Sequence, residues 1–130
     1  MRTVGELMTR EPRCIEAASP IREAHKLMAA QSLRHLPVID AGRLVGLVSE
    51  RDLLRLEAAF DVDQRHDPVR VAMTSPAYWV LPETPLSVVA GQMHDRCIGS
   101  AVVVSDGRVV GIFTTTDALE VLAGPALIPN

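Results

Sequence analysis

The sequence is poor in aromatic residues and in positive charge, and each shortage excludes a class of protein. Phe, Trp and Tyr make up only 3% of the 130 residues, whereas hydrophobic residues as a whole make up 48%. The core must therefore be built from aliphatic side chains and methionine. The formal net charge of −3 gives no sign of the basic patch with which nucleic-acid-binding proteins neutralise phosphates. We therefore expect no nucleic-acid partner.

Long apolar runs and cysteines are scarce as well. No run approaches the roughly 18 residues that a helix needs to span a membrane, and residues 1–7 lack the apolar stretch of a signal peptide. The two cysteines, Cys14 and Cys97, have no metal-ligand spacing with each other or with the histidines. These absences favour a cytoplasmic chain with free thiols, and we expect no membrane partner, no disulfide framework and no bound metal.

The sequence does contain an internal repeat. The segment 42–52 returns as the segment 107–117, at an offset of 65 positions (107 − 42). The same offset carries other unlike residues onto their counterparts: Met8-Thr9 onto Met73-Thr74, Pro20 onto Pro85, Met28 onto Met93, and Leu54 onto Leu119. A constant offset over so many positions, without a gap, indicates a duplication.

Each copy predicts a strand, a helix, a hairpin of two strands and a closing helix. In the first copy, Ser19 is the expected N-cap and Pro20 the first helical residue of a helix that ends near residue 31. Residues 36–39 and 44–48 are typical of antiparallel strands. Pro37 has no N–H, so it predicts an unpaired edge or a break in its strand. Ser49 opens the closing helix.

The second copy has corresponding residues at its helix starts and at its hairpin turn. Thr84 and Pro85 repeat the expected helix start, and Asp106-Gly107 is typical of a tight hairpin turn. Thr114 opens the last helix. These elements predict an α+β protein of two β-α-β-β-α repeats.

We assign residues 1–60 to the first repeat, 61–68 to a linker, 69–124 to the second repeat and 125–130 to a tail. One repeat of roughly 55 residues buries too little surface to be stable by itself. The two repeats are therefore expected to pack sheet against sheet, as a pseudo-twofold pair. The tail is expected to be loose unless it docks on a neighbour.

Several of these segments resemble a cystathionine-β-synthase (CBS) domain. In the first repeat they are Met8-Thr9 at the entry, His35-Leu36-Pro37-Val38 before the hairpin and the segment 46–52 after it; in the second they are the segments 98–104 and 111–117. The resemblance covers nearly the whole chain except linker and tail. It implies a paired module, commonly dimerised as a flat disc. Such modules bind adenosine-containing ligands, such as AMP, ATP or S-adenosylmethionine, in clefts between the repeats, and no cofactor is required.

The residues at the helix starts agree with such a ligand. Ser49 and Thr114 stand at helix N-termini, whose unpaired N–H groups and partial positive charge suit a phosphate. Asp52 and Asp117, one turn further on, offer the two acceptor oxygens that match the paired hydroxyls of a ribose. In the family, the aspartate holds the ribose and the hydroxyl residue contacts the phosphate. By the same resemblance, the strand backbone at two positions flanks the adenine: Ile15, beside Cys14, and Val80, beside Trp79.

The two copies differ next to these motifs. The first has Arg34, His35 and Arg51, where the second has Gly99, Ser100 and Thr116. Because charge-assisted hydrogen bonds are the stronger ones, we predict that the site with Asp52 prefers the more highly phosphorylated ligand. The site with Asp117 would suit a nucleoside or monophosphate, or stand empty. The predicted ligand-binding residues are Ile15, His35, Pro37, Ser49, Arg51, Asp52, Val80, Ser100, Thr114, Thr116 and Asp117.

A second interpretation of the same residues stays open. A hydroxyl residue followed three places on by an acid is also a capping box, which satisfies a helix end without any ligand. Two functional classes follow. In the first class, the chain is a stand-alone regulatory module that modulates an unidentified protein, and it is an energy sensor if its ligand is an adenine nucleotide. In the second class, the chain is a ligand-free dimerisation or scaffold module. We expect a homodimer. An enzyme is least favoured, because no catalytic triad or phosphate loop can be proposed from the spacing.

Overall fold

The computed structural model describes residues 2–124, which form two compact units. One unit is Pro12–Ala77, and the other combines the described residues up to Glu11 with those from Tyr78 onward. Each unit contains one β-α-β-β-α pattern, which confirms the predicted α+β class and the two repeats. The predicted tail, residues 125–130, lies outside the described residues.

After their entry segments, the two repeats have strands and helices in the same order. In chain order they are α1 (Val4–Leu7), β1 (Thr9–Arg10), β2 (Ile15–Glu16), α2 (Ile21–Gln31), β3 (His35–Asp40), β4 (Arg43–Ser49), α3 (Glu50–Ala59), a 3-10 turn (Val69–Val71), β5 (Trp79–Val80), α4 (Leu86–Arg96), β6 (Ser100–Ser105), β7 (Arg108–Thr114) and α5 (Thr115–Ala123). None of the helices between residues 2 and 124 is long and apolar enough to cross a bilayer.

Each unit is built on one sheet. In the unit Pro12–Ala77 the strand order is β2-β3-β4, with β2 parallel to β3 and β3 antiparallel to β4. In the other unit the order is β1-β7-β6-β5, and β5 is again parallel to the first hairpin strand. The added strand β1 comes from the entry segment of the first repeat, and its Thr9 lies opposite Ile112.

The entry segment of the second repeat behaves in the corresponding way. Thr74 forms an isolated bridge with Leu47 at the free side of β4. The segment that opens each repeat in the sequence therefore lies in the unit built mainly from the other repeat. Sequence periodicity alone gives no signal for this exchange, because both arrangements place the same apolar residues in a core.

Both hairpins turn on two residues in the left-handed region. Ala41 and Gly42 have φ of 52° and 79°, and their counterparts Asp106 and Gly107 have φ of 53° and 77°. Positive φ at both central residues is the requirement of the type I′ turn, whose twist matches that of paired strands. The tight turns that the sequence predicts are therefore present in both repeats.

The predicted N-caps of α2 and α4 are wrong by one residue. The N-cap positions are Pro20 and Pro85, neither with a side-chain cap, and the helices begin at Ile21 and Leu86. A neighbouring segment supplies the missing acceptor in each case. The N–H of Ile21 donates to Asp67 O at 2.9 Å, and the N–H of Leu86 donates to Arg2 O at 3.0 Å. A backbone carbonyl distant in sequence thus replaces the expected serine or threonine cap.

Pro37 lies in β3, which is the central strand of its sheet, so the predicted unpaired edge is wrong. Pro37 lies opposite Leu47, whose N–H and C=O both bond to Thr74, at 3.0 and 2.8 Å. This pair therefore needs no N–H from residue 37. The ladder is irregular one residue later, between Val38 and Ile39, and the second repeat has the same irregularity between Val103 and Val104. The irregularity belongs to the fold and does not depend on proline.

Each unit has its own aliphatic core. The first is centred on fully buried residues of the helices and the hairpin: Ile21, Leu36, Val38, Val48 and Leu53. The second contains Val4, Val89, Ala101, Val103 and Phe113, the last being the one aromatic residue among the fully buried side chains of residues 2–124. Packing in these cores holds each sheet in position. Because α3 and α5 follow directly after strands β4 and β7, the sheets also determine where these two helices begin.

Candidate functional site

Ser49 and Asp52 form a capping box at the start of α3. The Ser49 hydroxyl oxygen accepts the N–H of Asp52 at 3.0 Å, and Asp52 Oδ2 accepts the N–H of Ser49 at 2.8 Å. Both residues are partly exposed. The helix start therefore presents a carboxylate and a hydroxyl side by side, next to the positive end of the helix dipole.

Thr114 and Asp117 repeat this box at the start of α5. Asp117 Oδ2 accepts the N–H of Thr114 at 2.9 Å and its hydroxyl at 3.1 Å, and the Thr114 oxygen accepts the N–H of Asp117 at 3.3 Å. The capping boxes of the second interpretation are thus present in both repeats. Capping accounts for part of each carboxylate's hydrogen-bonding capacity, and the two aspartates differ in what remains.

The difference arises from Thr9, which the sequence interpretation did not include in the site. The Thr9 hydroxyl donates to Asp117 Oδ1 at 3.1 Å, so both oxygens of Asp117 accept hydrogen bonds. Over residues 2–124, the hydrogen bonds to the Asp52 carboxylate come only from the Ser49 N–H, which reaches Oδ2. A signal for Thr9 exists in the sequence, since Met8-Thr9 recurs as Met73-Thr74, but the repeat does not say which side chain it meets.

His35 lies beside the first of these boxes. It is opposite Ser49 in the β3–β4 ladder and half-buried. Burial lowers the pKa of His35 below its ordinary 6.5; the negative charge of Asp52 opposes this shift, and the nearby Arg34 adds to it. His35 is therefore biased towards the neutral imidazole, which can accept or donate a hydrogen bond close to Asp52.

Two arginines are next to these residues in the sequence: Arg34 precedes His35, and Arg51 precedes Asp52. The carbonyl of Arg34 accepts the N–H of Glu50 at 2.9 Å and so ties the beginning of β3 to the first turn of α3. The side chains of Arg34 and Arg51 are exposed. In the second repeat the corresponding carbonyl is that of Gly99, which accepts the N–H of Thr115 at 3.0 Å. The backbone scaffold is the same in the two repeats, and the charge is present only in the first.

The remaining predicted residues divide into buried and exposed ones. Ile15, Pro37 and Val80 have buried side chains, so only their backbone groups could meet a ligand. Ser100, the counterpart of His35, is 2% exposed and lies opposite Thr114 in the β6–β7 ladder. Thr116 is exposed in the first turn of α5. The structure thus brings together His35, Ser49 and Asp52 in one unit, and Ser100, Thr114 and Asp117 at the equivalent place in the other.

A separate open groove of about 500 Å³ lies within the unit that contains the second repeat. Its lining includes Glu6, Arg10, Glu83, Ser105 and Val110, and none of the predicted ligand-binding residues. Two carboxylates and one guanidinium at an open surface do not indicate a particular ligand. Over residues 2–124, no group of three or more His, Cys, Asp or Glu side chains is placed to hold a metal ion.

Known proteins share both the sequence pattern and the fold. The sequence matches the CBS domain family over residues 4–59 and again over residues 69–124. The homoserine O-acetyltransferase of Methanocorpusculum labreanum is 32% identical over 115 residues, which are 87% of this chain but 23% of that enzyme. The chain spans less than half the length of the curated relatives it matches first.

Two solved structures are similar over almost their full length. The CBS domain pair of protein MJ0100, in complex with 5′-methylthioadenosine and S-adenosyl-L-methionine, is 26% identical, with a TM-score of 0.84 over 95% of this chain and 97% of that one. The protein CBSX2 in complex with AMP is 27% identical, with a TM-score of 0.83 over 94% of this chain and 96% of that one. The chain belongs to the CBS domain family and carries two CBS domains in tandem.

Proposed function

We propose that this chain is a regulatory CBS pair that binds an adenosine-containing ligand through Asp52 and modulates a partner protein. The observation that carries the proposal is the state of Asp52, whose Oδ2 caps α3 while Oδ1 accepts no hydrogen bond from residues 2–124. Relatives in the family support the ligand class, since two of the similar structures contain AMP, or 5′-methylthioadenosine and S-adenosyl-L-methionine.

The geometry around Asp52 supports a distinct role for each group. The vicinal hydroxyls of a ribose donate to the Asp52 carboxylate, which is an acceptor with two oxygens. Ser49 accepts the N–H of Asp52 and keeps its own hydroxyl hydrogen to donate to a phosphate. The N-terminus of α3 adds the partial positive charge of its dipole. The backbone at Ile15 would flank the adenine, as in the family pattern.

The two arginines next to the first motif in the sequence support a preference for phosphorylated ligands. Arg34, His35 and Arg51 stand in the first repeat, where the second has the uncharged Gly99, Ser100 and Thr116. Because hydrogen bonds between ionised groups are roughly twice as strong as neutral ones, ATP or ADP would gain more here than adenosine. The site at Asp117, which lacks these charges, would gain nothing from a second or third phosphate and would hold a nucleoside or monophosphate more weakly, or stand empty.

A thermal-shift panel with AMP, ADP, ATP, NAD and S-adenosylmethionine tests the proposal. A ligand at about 100 times its dissociation constant adds roughly 2.7 kcal/mol to the free energy of unfolding, which raises the Tm of a domain of this size by several degrees. Each variant is compared with its own Tm without ligand, because Asp52→Ala also removes a helix cap. Phosphorylated ligands should no longer raise the Tm of the Asp52→Ala variant. An undiminished shift in both Asp52→Ala and Asp117→Ala would reject these residue roles.

The alternative function is a dimerisation or scaffold module without a ligand. It is favoured by the two complete capping boxes, which explain the hydroxyl and acidic residues as helix-stabilising groups. Under this alternative, no member of the panel raises the Tm, and Asp52→Ala acts on stability alone. A capping residue replaced by alanine costs about 0.5–2 kcal/mol.

We also propose self-association, through α3 and α5. Leu54 and Leu119, which are related by the 65-residue offset, are 55% and 60% exposed, and Leu122 is 80% exposed. Apolar side chains of this size on helices favour a protein partner over water. Sedimentation equilibrium should show a dimer that Leu119→Glu weakens. Val88→Glu, at a 48% exposed position of α4, is the matched control and should leave the dimer intact.

A further inference from the structure

The carboxylates of Asp52 and Asp117 differ in how many further hydrogen bonds they can accept. An ionised carboxylate offers about four acceptor directions on its two oxygens. Asp117 uses three of them, for the Thr114 N–H, the Thr114 hydroxyl and the Thr9 hydroxyl. Asp52 uses one, for the Ser49 N–H. The paired hydroxyls of a ribose need two, so the Asp52 carboxylate can accept both and the Asp117 carboxylate cannot.

Thr9 is held in its place by the backbone on either side of it. Strand β1 pairs with β7 through Thr9 and Ile112, and the N–H of Glu11 donates to Val110 O at 3.2 Å. On the other side, the N–H of Val4 donates to Thr84 O at 2.9 Å. The Thr9 hydroxyl therefore reaches Asp117 from a segment that is fixed independently of this hydrogen bond.

The counterpart of Thr9 makes no such contact. Thr74 pairs through its backbone with Leu47, but the hydrogen bonds of residues 2–124 include none from its hydroxyl to Asp52. The neighbouring Ser75 hydroxyl instead donates to Val45 O at 2.9 Å. The two repeats, equivalent in backbone, are thus inequivalent at the aspartate that would receive a ribose.

We infer that Thr9 determines specificity between the two sites: its hydroxyl competes with a ribose for Asp117, so that an adenosine-containing ligand is accepted first at Asp52. This inference rests on the proposed function, because it takes the ribose as the group that the aspartates bind. Removal of the Thr9 hydroxyl frees the Oδ1 atom of Asp117 and opens the second site.

Calorimetric titration with adenosine and with AMP tests the inference, using Thr9→Val and the matched Thr74→Val. Valine keeps the β-branched shape and removes only the hydroxyl. The wild type should bind one equivalent with high affinity, and Thr9→Val should gain affinity at the second site by about fivefold to tenfold, the worth of one hydrogen bond. Thr74→Val should bind as the wild type does. Thr9→Ser, which keeps a hydroxyl, should restore wild-type binding.

The remaining outcomes separate the two proposals. If Asp52→Ala abolishes the wild-type binding while Thr9→Val leaves the second site unchanged or weaker, the proposed function stands and the role of Thr9 is rejected. If neither the wild type nor Thr9→Val binds adenosine or AMP, the role of Thr9 is rejected; the proposed function is rejected as well only if ADP, ATP, NAD and S-adenosylmethionine also leave the Tm unchanged. The gain in Thr9→Val must also disappear in Thr9→Val combined with Asp117→Ala, and a gain that persists contradicts the assignment to Asp117.

Discussion

Leu47 and Thr74 exchange two backbone hydrogen bonds, of 3.0 and 2.8 Å, across the free side of strand β4. This contact brings Met73 against Gly46, where a Cβ would lie 2.6 Å from the methionine Sδ. In the second repeat, the side chain of Met8 lies against Gly111 in the same way. The glycine of each hairpin strand is therefore required by the close approach of an entry segment from the other repeat.

Gly46→Ala should destabilise the protein more than Gly111→Ala does. A Cβ on residue 46 would lie 2.9 Å from the carbonyl oxygen of Thr74, which is backbone and cannot rotate away. At residue 111 the closest atoms all belong to the flexible side chain of Met8. Overpacking of this kind costs typically about 1–3 kcal/mol, and we expect Gly46→Ala near the upper end. Urea unfolding at equilibrium measures both values.

Gly91→Ala is the control for this pair. Gly91 lies in α4 and an added Cβ would meet nothing within 4 Å, so the change should stabilise the protein by roughly 0.5–1 kcal/mol. The prediction is contradicted if Gly46→Ala and Gly111→Ala lower the free energy of unfolding equally, because the Thr74 carbonyl would then move as easily as a methionine side chain.

His35 should make the stability depend on pH in mildly acidic solution. Burial lowers its pKa in the folded state below 6.5, so between the folded pKa and 6.5 the unfolded chain binds more protons. The contribution of neutral His35 is therefore fully present above pH 6.5 and is lost as the pH falls through the folded pKa. Urea unfolding at pH 7.5 and pH 5 should show that the free energy of unfolding falls less between these pH values in His35→Gln than in the wild type. The same loss in both proteins would contradict the prediction.

The two thiols should react at different rates. Cys97 is exposed at the C-terminal end of α4, whereas Cys14 is half-buried, and burial together with the charge of Glu16 raises the pKa of the Cys14 thiol. Because the thiolate is the reactive form, a disulfide reagent at pH 7.5 should label Cys97 first. Cys97→Ser should remove the fast phase and Cys14→Ser the slow one. A single phase with an amplitude of two thiols would show that Cys14 is as accessible as Cys97.

Local features of the fold were predictable because they depend on neighbouring residues. The hairpin turns follow from Gly42 and Gly107, and the starts of α3 and α5 follow from Ser49 and Thr114, whose side chains cap their own helices. The starts of α2 and α4 were predicted wrongly because their first N–H groups are satisfied by Asp67 and Arg2, which are distant in sequence.

The candidate site was predictable to the same extent. The sequence placed Ser49 and Asp52 together because they are three positions apart, within one helical turn. It did not place Thr9 beside Asp117, since they are 108 positions apart and only the exchange of entry segments brings their side chains within 3.1 Å. The difference between the two aspartates is therefore a product of the tertiary structure.

By itself, the amino-acid sequence determined the duplication, the order of strands and helices, the capping boxes and the family, because repeat offset, turn chemistry and helix caps are properties of short segments. The tertiary structure decided which entry segment joins which sheet, which carbonyl caps α2 and α4, and which aspartate keeps a free oxygen. Those choices depend on hydrogen bonds and contacts between distant segments. Because nearly every residue has the same backbone N–H and carbonyl, the sequence does not show which partner each of these groups will bond to.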